Sequence, residues 1–323
     1  SIDFEDYDED VAALLREYQN QSNPDQSYTP SILSYSTAKT SKTIVDFERG
    51  IIYMNASTPE TLRDAIIDVV LTQIDPSVID AQTAIDFGLI NEETNKPFFW
   101  GQVLDHKGKP ISSRRPALDF ANFLLRKKTF SDGRFEVTIR MIDAHKKIAG
   151  AKYVSFVKAA CLEYSVSSSL VMAIMETESS FNPLARSRSN ALGLMQVKAN
   201  TAGRDYFSLI KGYKHTPSSK FLYSPKNNIE VATGYLNILS SRYLRGIEDP
   251  KKLEYAMISS YNGGAGNLWK SLDKSGNKTK ALKRINQMST KQFYWFLTNR
   301  HIRQETREYL KKVNDRKSKY TLI

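Results

Sequence analysis

The sequence predicts an α+β domain followed by an all-helical domain. Three observations predict it. Apolar residues alternate in short runs before residue 145 and recur at three- and four-residue spacing after it. The charge splits at the same place: residues up to 145 hold 15 Lys and Arg against 23 Asp and Glu, and the remainder holds 31 against 12. The 323 residues suffice for two ordinary domains, and 41 % of them are hydrophobic, enough to fill two cores. The expected divisions are an acidic, partly mobile lead-in over 1–30, an α+β domain over 31–145 and a helical domain over 146–323.

The lead-in opens with Asp3-Phe-Glu-Asp-Tyr-Asp-Glu-Asp10 and holds one expected helix around Val11 to Tyr18. Thr43-Ile-Val-Asp-Phe-Glu48 and Gly50-Ile-Ile-Tyr-Met-Asn55 flank Arg49-Gly50 and read as a hairpin. Thr58-Pro59-Glu60 is a cap followed by proline at the first helical position; Leu62, Ile66, Ile67, Val69 and Val70 supply the apolar face, and Asp75-Pro76 ends the helix. Arg134-Phe-Glu-Val-Thr-Ile-Arg-Met141 alternates as a strand. Nothing in this half has catalytic spacing. Downstream, helices are expected near 150–164, 167–181, 226–244, 250–261, 280–286, 290–297 and 303–314, with loops at Asn182–Ala191, Lys211–Ser219 and Gly263–Gly266.

Glu178 is the candidate for chemistry. Leu170, Ile174, Glu178 and Phe181 lie on one face of a helix. A carboxylate there loses hydration, which favours its neutral form, and the negative end of the helix dipole before Asn182-Pro183 acts in the same direction. An acid held protonated near neutral pH is what cleavage of a glycosidic bond needs. Ordinary glycosidases pair it with a second carboxylate. Glu176 is two positions away, about 200° round the helix, and reads as a solvated residue. The other acids between 164 and 240, Asp205 and Glu230, have no motif that places them opposite Glu178.

Three strings follow in order: Glu178-Ser-Ser-Phe-Asn-Pro183, Ala191-Leu-Gly-Leu-Met-Gln-Val197 and Ser260-Tyr-Asn-Gly-Gly-Ala-Gly266. With Glu305-Thr-Arg-Glu-Tyr-Leu310 after them, they resemble the lytic transglycosylases of the goose-lysozyme-like superfamily. Val45-Asp-Phe-Glu-Arg-Gly50 is similar to the N-terminal domain of one branch, so the likeness covers most of the chain. Two departures touch only loop shape and sugar contacts: Ser260 stands where alanine is usual, and Val197-Lys-Ala199 replaces a proline-containing continuation.

The resemblance implies an all-α lysozyme-like catalytic domain of the goose type, and cleavage of peptidoglycan between N-acetylmuramic acid and N-acetylglucosamine without water. Glu178 would act first as acid and then as base on the sugar's own C6 hydroxyl, an intramolecular nucleophile. Ser187, Met195, Gln196, Tyr261, Asn262, Glu308 and Tyr309 are carried over as substrate-binding residues, with Gln196 on an acetamido group, Tyr261 near Glu178 and Glu308 toward the peptide stem. No cofactor is implied. The expected partners are glycan strands and peptide stems, not nucleic acid. The expected state is a periplasmic monomer held at the outer membrane by a lipid on a cysteine preceding Ser1.

Other features carry less. His106, His145, His215 and His301 are scattered without metal-ligand spacing. Cys161 reads as a small core residue. Gly263-Gly-Ala-Gly266 lacks the Lys-Ser/Thr of a phosphate loop and reads as a tight turn. The basic second half supports a competing, non-catalytic reading, a module binding glycan or nucleic acid with steep salt dependence. Lys291-Gln-Phe-Tyr-Trp-Phe296, which interleaves basic and aromatic residues, reads as a buried helix.

Overall fold

In the computed structural model, residues 9–19, 29–36, 40–72 and 96–322 are described. Contacts divide the chain into two compact units. The first takes the chain up to Tyr153 together with Glu178–Lys198 and Ser218–Asn228; the second takes Val154–Thr177, Ala199–Pro217 and the chain from Ile229 onward.

The first unit is built on a five-stranded antiparallel sheet. Its strands are β1 (Ile32–Tyr35), β2 (Ser41–Asp46), β3 (Ile51–Ala56), β4 (Thr129–Ser131) and β5 (Arg134–Arg140), in the order β1-β2-β3-β5-β4. The β2–β3 hairpin and strand β5 are those expected, and Val45 pairs with Ile52 and Met54 with Val137. Alternation puts successive residues on opposite faces. Val45, Ile52, Met54, Val137 and Ile139 meet helices α2 (Pro59–Leu71) and α3 (Arg114–Leu125) through Leu62, Ile66, Val70 and Phe120. Ile44, Ile51 and Tyr53 face Val11, Leu14 and Leu15 of α1 (Glu9–Gln19). The helix expected in the lead-in therefore covers one sheet face. Residues 1–8 and 20–28 of the lead-in, and the Asp75-Pro76 stop, lie outside the described residues. Helix α2 begins as expected, with the Thr58 hydroxyl accepting from the Thr61 amide at 3.1 Å.

Helix α3 was not expected. Pro116 lies in its first turn, where an amide N–H has no helical partner to lose. The expected helix 150–164 is two helices, α4 (His145–Ala151) and α5 (Val154–Tyr164). They are followed by α6 (Ser168–Ser179), the short α7 (Ser219–Tyr223) and α8 (Pro225–Ile238). The expected helix 226–244 stops being α-helical at Ile238: Leu239–Tyr243 forms a wider turn, closed by the Leu244 amide on Leu239 O at 2.8 Å. Then come α9 (Pro250–Gly263), α10 (Ala265–Leu272), α11 (Lys278–Gln287), α12 (Thr290–Asn299) and α13 (Gln304–Lys317). The Gly263–Gly266 loop shrinks to one residue, Gly264 at φ 81°, between α9 and α10. Helix α12 buries Phe293 and Leu297 but leaves Trp295 53 % exposed. Cys161 is buried and free. The helical half holds one two-residue strand pair, Ala191–Leu192 with Val197–Lys198.

Candidate active site

Helix α6 is apolar through its middle: Leu170 through Met175 are all at most 2 % exposed. The two acids in its last turns are separated by their surroundings, in the opposite sense to expectation. Glu176, expected in solvent, is fully buried. Arg316 Nε lies 2.9 Å from one carboxylate oxygen and Lys319 Nζ 2.8 Å from the other, and the Tyr320 hydroxyl also donates to it. The chain's C-terminal end supplies all three partners, so a charge that helix geometry turned away from the Glu178 face is enclosed instead of hydrated. Glu178 itself is half-buried.

Helix α6 ends at Ser179, whose hydroxyl donates to Leu194 O at 2.7 Å. The next two residues adopt the left-handed conformation, Ser180 at φ 51° and Phe181 at φ 65°, and both are buried. Non-glycine residues hold that conformation only where the surroundings enforce it. Asn182, also fully buried, donates to Pro30 O at 2.8 Å and accepts from the Leu184 amide at 3.1 Å.

The Gly193-Leu-Met-Gln196 segment is the tight turn between the two short strands. Gly193 sits at φ 75°, and a methyl group there would lie 2.4 Å from Asn228 Nδ2. Asn228 organises this turn: its side chain accepts from the Met195 amide at 2.8 Å and donates to Leu192 O at 2.8 Å and Leu222 O at 2.7 Å. Sequence reasoning passed over Asn228. Its signal was a polar residue on the buried face of α8.

The expected substrate residues of this unit have distinct settings. Met195 is fully buried and fills the interior. Gln196, 8 % exposed at φ 52°, donates to Gly193 O at 3.0 Å. Ser187 caps its own loop: its hydroxyl accepts from the Ala191 amide at 3.1 Å and lies 3.0 Å from Ser189 Oγ.

Tyr261, Asn262, Glu308 and Tyr309 belong to the second unit. The half-buried Tyr261 ring lies 6.1 Å from that of Tyr235, tilted by 56°. Burial, with Asp205 and Tyr243 nearby, pushes the Tyr235 phenol up to about 12. The Asn262 side chain joins the end of α9 to the start of α13, accepting from Thr306 Oγ1 at 2.7 Å and donating to Glu305 Oε1 at 3.3 Å. Glu308 is exposed, 3.6 Å from Lys311, whereas Tyr309 is 6 % exposed. His301 is fully buried, and its Nδ1 accepts from the Arg303 amide at 3.1 Å. Burial, reinforced by the Arg303 and Arg307 cations, lowers its pKa to about 4, so it is neutral at pH 7. Among the described residues no three His, Cys, Asp or Glu side chains lie close enough to share a metal ion.

Comparison with known proteins decides the family. The transglycosylase SLT domain matches residues 155–283, and the N-terminal domain of membrane-bound lytic murein transglycosylase C matches residues 13–152. The protein named membrane-bound lytic murein transglycosylase C from Edwardsiella ictaluri is 41 % identical over 301 residues, which cover 90 % of this chain and 82 % of that one. Its namesake from Salmonella typhimurium is 41 % identical over 297 residues, covering 89 % and 81 %. The chain belongs to the membrane-bound lytic murein transglycosylase C family. It is an enzyme, a lytic murein transglycosylase, with a sheet-containing N-terminal region and a helical SLT domain. The 70 kDa soluble lytic transglycosylase of Escherichia coli aligns with 52 % of this chain and 24 % of its own at 25 % identity and a TM-score of 0.40. In this transglycosylase Glu178, Met195, Gln196, Tyr261 and Asn262 fall within the SLT match, and Glu308 and Tyr309 follow it. The first compact unit draws residues from both matched segments.

Proposed function

We propose that the enzyme cuts the β-1,4 bond between N-acetylmuramic acid and N-acetylglucosamine in peptidoglycan, leaving 1,6-anhydromuramoyl ends, with Glu178 as the one acid and base. The observation that carries this reading is the division of labour between the two acids of α6. Glu176 is fixed as a carboxylate by Arg316, Lys319 and Tyr320, which withdraws it from proton transfer. Glu178, on the apolar helix inside the Glu-Ser motif, remains to act.

The Glu178 carboxylic acid protonates the glycosidic oxygen as the C1–O4 bond breaks, and the N-acetylglucosamine side leaves as an alcohol. The resulting carboxylate takes the proton from the C6 hydroxyl while O6 bonds to C1. Glu178 ends protonated, and no water is consumed. A nucleophile within the substrate has an effective concentration that a positioned water cannot match. One Nε2 hydrogen of Gln196 is donated to Gly193 O, and its carbonyl oxygen is suited to an acetamido N–H. Tyr261 and Asn262 bind sugar, Glu308 meets the peptide stem and Tyr309 belongs beside the cleft. Met195 and Ser187 serve substrate by fixing the turn and the loop they occupy. The enzyme works as a periplasmic monomer, held at the outer membrane by a lipid. Its relatives are named membrane-bound, and among the described residues no helix is long and apolar enough to cross a membrane.

Digestion of purified sacculi followed by mass spectrometry of the fragments tests the reading. Anhydro ends are one water lighter than reducing ends. Reducing ends as the main product reject the water-free route, and full activity in a Glu178→Gln enzyme rejects the role of Glu178.

A further inference from the structure

The motif Val45-Asp-Phe-Glu-Arg-Gly50 forms the turn between β2 and β3, and the chemistry above gives it no task. The turn is rigidly built. Asp46, fully buried, accepts from the amides of Glu48 at 3.0 Å and Arg49 at 2.8 Å and from Arg49 Nη1 at 2.6 Å. The buried His145 ring lies between Phe47 O at 2.9 Å and Ile142 O at 3.0 Å. Gly50, at φ 71°, leaves room for that ring, since a methyl group there would come within 2.7 Å of it. What this frame presents is the Glu48 carboxylate. One of its oxygens accepts from Lys146 Nζ at 2.8 Å, and the other accepts from the hydroxyl of Ser180, two residues beyond Glu178.

We propose that Glu48 is a positioning residue for the transglycosylase reaction, fixing the end of α6 and with it the direction of the Glu178 carboxyl group. The proposal rests on the role given to Glu178 above. Among the links that hold the segment after Glu178 are three from its side chains: Ser179 to Leu194 O, Ser180 to Glu48 and Asn182 to Pro30 O. Two of the three come from the sequence that matches the N-terminal domain family. They act on a stretch whose two left-handed, non-glycine residues would otherwise relax to commoner conformations. The acid of a glycosidase must meet the leaving oxygen within hydrogen-bonding distance, and a small misplacement of a reacting group costs rate more than affinity. The N-terminal region thereby contributes to catalysis itself.

The test uses the full chain, with initial rates on purified glycan strands and thermal unfolding followed by circular dichroism. Glu48→Ala and Ser180→Ala are each expected to lower kcat about tenfold, with KM within about twofold of wild type. The unfolding midpoint of Glu48→Ala should stay close to that of wild type, because the Glu48 side chain is half-exposed. Glu48→Gln, whose amide oxygen still accepts from Ser180, should recover most of the rate. The Glu48→Ala/Ser180→Ala double variant should be no slower than either single one, as expected for two partners in one contact. The proposal is overturned by a wild-type kcat in Glu48→Ala, by a loss that only tracks the unfolded fraction, or by single effects that multiply in the double variant. Glu178→Gln is measured alongside. If it is inactive while Glu48→Ala is unaffected, only the positioning role fails; if it is active, the role of Glu178 fails first.

Discussion

Arg316 Nε lies 2.9 Å from the carboxylate of Glu176, and the two residues are joined across 140 positions of sequence. Glu176 is fully buried, so the pair sits where an unpaired charge is costly. Lys319 is half-exposed and adds little by itself. Glu176→Ala should therefore destabilise the enzyme by about 3 kcal/mol, since it strands the Arg316 cation. Glu176→Gln should cost less, because its amide oxygen still accepts from Tyr320. Urea unfolding of the two variants measures the difference.

Glu178 gives a contrasting result. Glu178→Gln should lower turnover on sacculi by about 10²–10⁴ or more. Its urea unfolding curve should match that of wild type, because the change is nearly isosteric at a half-buried position.

His301 makes stability depend on pH. Its pKa is about 4 in the folded chain and roughly 6.5 when unfolded. Between these values the unfolded chain binds the extra proton. The contribution is fully present above pH 6.5, declines as pH falls and is gone near pH 4, a total of about 3 kcal/mol. Urea unfolding at pH 5 and pH 7 should show the loss, and His301→Phe should reduce it.

Gly193→Ala should cost roughly 2 kcal/mol or more. The residue is left-handed, and the new methyl group would press on Asn228 Nδ2 and on Leu222 O, 2.8 Å away. The Asn228 amide cannot yield without losing its three bonds. Reduced activity should accompany the lower urea midpoint, because Gln196 is carried by the same turn.

Asn262→Ala separates support from substrate contact. Loss of the Thr306 and Glu305 hydrogen bonds should lower stability by about 1–2 kcal/mol. If Asn262 also binds sugar, KM should rise further than in Thr306→Val, which removes only the internal bond. Kinetics and urea unfolding of the two variants make the comparison.

Several elements were legible before any coordinates. The β2–β3 hairpin follows from alternation around Arg49-Gly50, and the start of α2 from Thr58-Pro59. Helix α10 was hidden because Gly263-Gly264 suggests a long loop, yet one left-handed glycine suffices to separate two helices. Glu178 was found from its motif and its place on an apolar stripe. Asn228 and Glu48 were not, because each matters through a distant partner, Met195 at 33 residues from Asn228 and Ser180 at 132 from Glu48.

The amino-acid sequence alone determined the α+β region followed by a helical one, the motif-bearing helix and membership of the transglycosylase family, since periodicity and short strings are properties of neighbouring residues. Tertiary structure alone decided which acid on α6 is enclosed by cations, and that the turn at Glu48 reaches Ser180. Helix geometry fixes the face on which a side chain emerges, but the charge or hydroxyl it meets there depends on how distant segments of the chain return to it.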